Sequence, residues 1–173
     1  MFDYQGRDLY INDYGITSLA DKYRTPFFLI DEQRLVDNYT ALCEGLRTEQ
    51  QDAVVRYCIK TNNELGVLQT IASLGSHAMA ACPAEVQLAK PAGFTPDKVA
   101  YQSPLLLEED VHAVLDEGIC HFHTFREEDL LLLDRITEKR GTAIQVSLRV
   151  HYDPPGVRFS PLNFLSSRLG FKP

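Results

Sequence analysis

Short apolar runs rich in β-branched and aromatic residues alternate along this chain with longer amphipathic stretches. The runs cover residues 27–30, 54–59, 78–81, 99–101, 121–125 and 144–150. They begin roughly 20–27 residues apart, about the length of one strand, one helix and two short loops. The first amphipathic stretch, 31–46, opens on Asp31, which can cap, and carries Leu35, Val36, Tyr39, Leu42, Cys43 and Leu46 near helical spacing. The second, 63–74, places Leu65, Leu68, Ile71, Ala72 and Leu74 on one side and stops at Gly75. The third, 83–89, begins with Pro83, whose missing N–H does no harm at a helix start, and ends at Pro91 and Gly93. Stretches 107–117 and 126–140 are each followed by glycine, a common helix stop.

Six strands alternating with five helices predict an α/β fold with a parallel sheet. Two architectures accept that order, a doubly wound sheet or part of an eight-stranded (β/α)8 barrel. No G-x-G-x-x-G follows the first run, so a dinucleotide-binding sheet has no positive support. Residues 1–24 read as a separate extended lead-in and 25–173 as the barrel portion; 151–173 is rich in proline and predicts no helix.

Composition changes this picture only by exclusion. Hydrophobic residues make up 45% of the 173 and charged residues 24%, a balance that argues against wholesale disorder. The net charge of −7 argues against a groove that tracks nucleic-acid phosphates. The start lacks a basic region followed by an apolar one, and no stretch approaches the length of a membrane span. The expectation is therefore a cytoplasmic protein with no nucleic-acid or membrane partner. Cys43, Cys58, Cys82 and Cys120 lie far apart without a C-x-x-C pair, which predicts reduced thiols rather than disulfides or a zinc site.

Chemistry in parallel α/β folds gathers at the carboxyl ends of the strands. The second run ends in Tyr57-Cys58-Ile59-Lys60-Thr61-Asn62. Lys60 then stands at the mouth of the sheet, half desolvated, where a free amine can act as a nucleophile toward carbonyl groups. The alternative is a solvated strand-end lysine. His121 and His123 point to one strand face, a possible metal pair with no evident third ligand, and ordinary strand packing explains them better. The acidic triplets Glu108-Glu109-Asp110 and Glu127-Glu128-Asp129 sit where helices begin and complement the helix dipole. No G-x-S-x-G and no phosphate-binding P-loop is present.

The segment around Lys60 resembles the Y-x-x-K-x-N motif of the fold-type III decarboxylases that use pyridoxal phosphate, the ornithine, diaminopimelate and arginine decarboxylase group. Further segments resemble the same family in order: Thr25-Pro26 through Asp31, Leu74-Gly75, Ala81-Cys82-Pro83-Ala84-Glu85-Val86, Ala92-Gly93-Phe94 with Lys98 through Tyr101, Thr124-Phe125, Leu148-Arg149-Val150, and Ser167-Arg168-Leu169-Gly170-Phe171. The match covers about residues 25–171. The resemblance implies a partial, TIM-type pyridoxal-phosphate barrel with a lead-in that begins in a β domain. It implies that Lys60 carries the internal aldimine, and that Glu85 and Arg149 stand near the cofactor. Glu85 also reads as a helix-capping carboxylate, and Arg149 as a strand-end ion pair. A small amino-acid substrate, a basic amino acid or diaminopimelate, and a homodimer of the full-length protein are implied as well.

The chain departs from the family in three places near the site: Met79 stands where an aspartate is usual, Cys82 replaces a serine, and Thr61 replaces an alanine or serine. The family's later elements, including a stacking histidine and a glycine-rich phosphate loop, have no counterpart in the sequence. The expectation is a fragment, with parallel edges bare at 27–30 and 144–150. A non-catalytic regulatory homologue and a racemase-like or cofactor-carrier barrel are the rival readings.

Overall fold

The computed structural model describes residues 2–49, 53–150 and 170–171. The chain forms two compact units, Met1–Gln51 and Asp52–Pro173.

The first unit opens with β structure within the stretch 1–24 that the sequence reads as an extended lead-in. Strands β1 (Phe2–Gln5), β2 (Asp8–Ile11) and β3 (Tyr14–Gly15) pair antiparallel in that order. Two-residue turns join them. Gly6 takes a φ of 70° at the first position of its turn, where a side chain would be strained. Helix α1 (Ile16–Tyr23) and the long helix α2 (Glu32–Glu49) follow. Asp31 Oδ1 accepts the Arg34 backbone N–H at 3.1 Å, the helix start that the sequence predicts. That bond holds the Asp31 carboxyl below its ordinary pKa.

The predicted strand at 27–30 is absent: these residues carry no ladder, and Phe28 is fully exposed. Propensity for strand is a fit to a pleated, half-buried surface, and an apolar run without that surface stays irregular.

The second unit is a parallel sheet in chain order: β4 (Arg56–Cys58), β5 (His77–Ala80), β6 (Val99–Tyr101), β7 (His121–Thr124) and β8 (Gln145–Leu148). The connecting helices are α3 (Leu65–Ser73), α4 (Pro83–Ala92), α5 (Glu108–Asp116) and α6 (Glu127–Arg140). The parallel sheet therefore has five strands among the described residues, one fewer than predicted. Helix α4 runs through Pro91, beyond its predicted end, and stops at Gly93 in the left-handed region with φ 98°. Pro91 lies in the last turn, where its missing N–H removes one bond without breaking the helix.

Register sorts the strands into two faces. Tyr57, Ala78, Ala80, Val99, Tyr101, Phe122, Thr124, Val146 and Leu148 share one face. Most of these are fully buried, with Leu68 and Ile71 of α3, Val86 of α4, Val111 and Val114 of α5, and Leu133 and Ile136 of α6 completing the core. Tyr101 and Phe122 meet edge to face at 6.0 Å, and the Tyr101 hydroxyl donates to Asp110 Oδ2 at 3.3 Å. Burial beside Asp110 pushes that phenol well above its ordinary pKa.

The other face holds Arg56, Cys58, His77, Met79, Ala100, His121, His123, Gln145 and Ser147. The far edge is not bare throughout. Val150 bridges in parallel to Phe171, whose N–H donates to the Arg149 carbonyl at 2.7 Å. The motif at Ser167 to Leu169 lies outside the described residues.

Candidate functional site at the carboxyl ends of the strands

Lys60 sits in a single 3-10 turn, Ile59–Thr61, at the carboxyl end of β4. Ile59 takes the fully buried position of that turn. Lys60 beside it is exposed, not half desolvated as the sequence suggests, because the chain turns away one residue after the strand ends. Among the described residues its amine forms no ion pair. The two polar residues that flank it are bonded to each other: the Tyr57 hydroxyl donates to the Asn62 carbonyl at 3.4 Å. The Asn62 side-chain oxygen accepts the Glu64 N–H at 3.1 Å, which turns the chain into α3. The spacing of Tyr57, Lys60 and Asn62 thus has a local meaning. Tyrosine and asparagine close the turn whose middle holds the lysine. Burial, with Cys58 beside it, raises the Tyr57 pKa above its ordinary value.

Glu85 lies in the first turn of α4, just past β5. Its Oε2 accepts the Ala81 N–H at 2.7 Å, so the carboxylate ties the loop after β5 to the helix start. This is the capping alternative seen in the sequence, extended by one residue. Arg149 follows β8 and is exposed, its guanidinium 5.6 Å from the Phe125 ring. It makes no ion pair among the described residues. Its backbone stays in the sheet, donating to the Thr124 carbonyl at 3.0 Å. Lys60, Glu85 and Arg149 therefore all stand at the carboxyl ends of strands of one sheet. Met79 is half-buried on the polar face, in register with Cys58 and Ala100.

Sequence reasoning missed a constellation deeper on that face. Arg56 Nη1 donates to His77 Nδ1 at 3.2 Å and Nη2 to His121 Nδ1 at 3.4 Å, and His121 Nε2 lies 2.8 Å from Ser147 Oγ. The His121 and His123 rings stack with centroids 4.9 Å apart. Burial first, then the positive charge of neighbours including Arg56, lowers the pKa of all three histidines, that of His121 to about 4. His121–x–His123 is thus not a free pair of ligands, since both His121 nitrogens are engaged. No group of three metal-ligating side chains occurs among the described residues. The four cysteines are free thiols. No described helix is long and apolar enough to cross a membrane.

The family model described as the pyridoxal-binding domain of pyridoxal-dependent decarboxylases matches residues 36–158. The chain belongs to this family. Diaminopimelate decarboxylase of Methanothermobacter thermautotrophicus is 30% identical over 152 residues, 83% of this chain and 35% of that protein. The Pseudomonas aeruginosa enzyme of the same name is 26% identical over 88% of this chain and 36% of its own length. The chain thus spans about a third of the length of the curated relatives it matches. The crystal structure of Methanocaldococcus jannaschii diaminopimelate decarboxylase with L-lysine superposes with a TM-score of 0.85 at 20% identity, over 99% of this chain and 41% of that one. That likeness establishes the fold, a part of the decarboxylase barrel.

The residues present suit the family's cofactor. Lys60 presents an exposed amine with no ion pair among the described residues, the group a pyridoxal aldehyde would require, and Arg149 presents an exposed guanidinium at the carboxyl end of β8, the kind of group a phosphate would require.

Proposed function

We propose that this chain is the cofactor-binding part of a pyridoxal-phosphate-dependent decarboxylase acting on diaminopimelate or a basic amino acid, with Lys60 as the attachment residue. One observation carries this reading: a lysine with no ion pair among the described residues follows β4 in the turn Ile59–Thr61, inside a domain matched to the family's pyridoxal-binding model. When bound, the cofactor supplies an electron sink for the electron pair left as carbon dioxide departs. Lys60 Nζ is the atom that holds it, and an exposed amine in a turn fixed by Tyr57 and Asn62 can both bond and release. Arg149 offers a guanidinium to a phosphate or carboxylate. Glu85 shapes the loop after β5 and so acts on the site through the backbone. The full-length protein works as a homodimer in this reading, in the cytoplasm.

Met79 favours a second reading, a non-catalytic member of the family that keeps the lysine but lacks the usual carboxylate at that place. Carbon dioxide release from diaminopimelate by the full-length protein separates the two.

Lys60 itself is tested on the chain as it stands. Incubation with pyridoxal phosphate should give a visible absorbance band, and borohydride should fix a pyridoxyl adduct on Lys60. Lys60→Ala should lose both. A variant that keeps the band and traps the adduct elsewhere at equal yield overturns the assignment.

A further inference from the structure

Arg56 stands on the strand that leads into the Lys60 turn, yet its guanidinium reaches across the sheet to His77 and His121. We propose that Arg56 is a positioning residue for Lys60, tying β4 through His77, His121 and Ser147 to three other strands of the sheet. The inference rests on Lys60 being the cofactor lysine.

The hydrogen-bond chemistry fixes the direction of every link. A guanidinium only donates, so His77 Nδ1 and His121 Nδ1 must both accept, and both rings are neutral with the proton on Nε2. His121 Nε2–H then donates to Ser147 Oγ at 2.8 Å. The links run from β4 to β5, from β4 to β7, and from β7 to β8. Strand β6 is passed over: its residue in register with Met79 and His121 is Ala100, which offers only a methyl group.

The geometry also shows what the tie resists. β4 and β7 are three strands apart, about 14 Å on a flat sheet. Side chains leaving a flat sheet perpendicularly stay that far apart. Arg56 and His121 meet because the long arginine side chain reaches across a sheet that curls toward this face, as the sheet of a barrel does, so their bond spans the curl. β4 has only three residues, and among the described residues it ladders to β5 alone. A strand so short and one-sided opens locally at low cost. Lys60 lies two residues past its end, so any fraying there moves the amine. No carboxylate pairs with Arg56 among the described residues; its fork is spent on the two rings.

A proton added at either Nδ1 faces a guanidinium N–H and breaks the link. The groups around the rings are Arg56 on β4, His77 on β5, Asp97 and Lys98 before β6, and His121 and His123 on β7. Burial and this excess of positive charge lower the pKa of the rings, that of His121 to about 4, which protects the tie near neutrality.

The test labels the chain with pyridoxal phosphate, reduces with borohydride, and reads occupancy of Lys60 against the other five lysines by peptide mass analysis. Wild-type chain should favour Lys60. Arg56→Gln should cut that preference about tenfold, the effect of losing hydrogen bonds from a charged donor. Arg56→Lys keeps the charge without the fork and should recover only part of it. Wild-type preference should hold near neutral pH and fade as the pH falls toward 4, whereas Arg56→Gln should show a flat profile. If Arg56→Gln fails to fold, the lysine variant and the wild-type pH profile decide. Wild-type preference retained in both variants, or a wild-type preference that does not change with pH, overturns the inference alone. A wild-type chain that labels all six lysines alike overturns the assignment of Lys60, and this inference with it.

Discussion

Alternate residues of the same five strands meet two different surroundings. On the helix side Ala78, Ala80, Tyr101 and Phe122 are wholly buried among the aliphatic faces of α3 to α6. On the curled side Arg56, Cys58, His77, Met79, His121, His123 and Ser147 are half-buried, and five of those seven are polar and hydrogen-bonded or stacked with one another. One face obtains its stability from apolar area. The other uses polar links whose worth depends on protonation. A single substitution on either face should therefore report which kind of force is lost.

The largest effect belongs to the helix side. Phe122→Ala removes a fully buried ring that also packs edge to face on Tyr101, and should cost about 3–5 kcal/mol. Ser147→Ala, one strand over on the other face, removes an acceptor for one histidine and should cost about 1 kcal/mol. Urea midpoints at unchanged slope measure both. Equal costs would mean that the two faces are not distinct in kind.

The next effect belongs to the curled side and depends on pH. His77, His121 and His123 are neutral in the folded chain with pKa values below 6.5, that of His121 about 4. In the unfolded chain each titrates near the ordinary value of about 6.5. Between those limits the unfolded state binds more protons, so stability is fully present above about pH 6.5 and falls as the pH drops toward 4. Asp31 and Asp97 are held below the ordinary 3.8, so their contribution is lost lower down and does not produce the slope above pH 5. Melting temperature measured from pH 7 to 5 should fall. Phe122→Ala should shift the curve down without changing its shape. A melting temperature that stays constant over this range would remove the histidines from the account.

The two faces were not equally legible in the sequence. The helix side follows from local pattern: apolar runs at the spacing of βα units place β5 to β8 within a few residues, and acidic helix starts and glycine stops bound the helices. Asp129 went further than expected. It is buried and paired with Arg126 at 2.5 Å, which serves the core as well as the dipole. The place of Lys60 just past a strand end was also legible, but its exposure and the turn closed by Tyr57 and Asn62 were not. The curled side was not. Arg56 and His121 are 65 residues apart, and only strand order and curl bring them together. The shared face of His121 and His123 could be read from alternation, but not their partners. The run at 27–30 misled because β-branched and aromatic composition predicts a strand only where a ladder and a covering surface exist.

The smallest effect is expected at the carboxyl end, at Arg149. Its backbone donates to Thr124 and accepts from Phe171, and both links survive truncation of the side chain. What Arg149→Ala removes is an exposed guanidinium 5.6 Å from the Phe125 ring, a cation–π contact worth about 0.5–1 kcal/mol at such a site. Phe125 is itself buried, so the ring stays in place. The substitution should therefore lower stability by less than Ser147→Ala does, while weakening the hold on pyridoxal phosphate, read as a higher concentration for half-maximal absorbance. That split, a small loss of stability with a clear loss of cofactor binding, is what separates a residue held for chemistry from one held for packing. A loss above about 2 kcal/mol would place Arg149 among the groups that keep β7 and β8 together, and would leave the phosphate or carboxylate to be met by another cation.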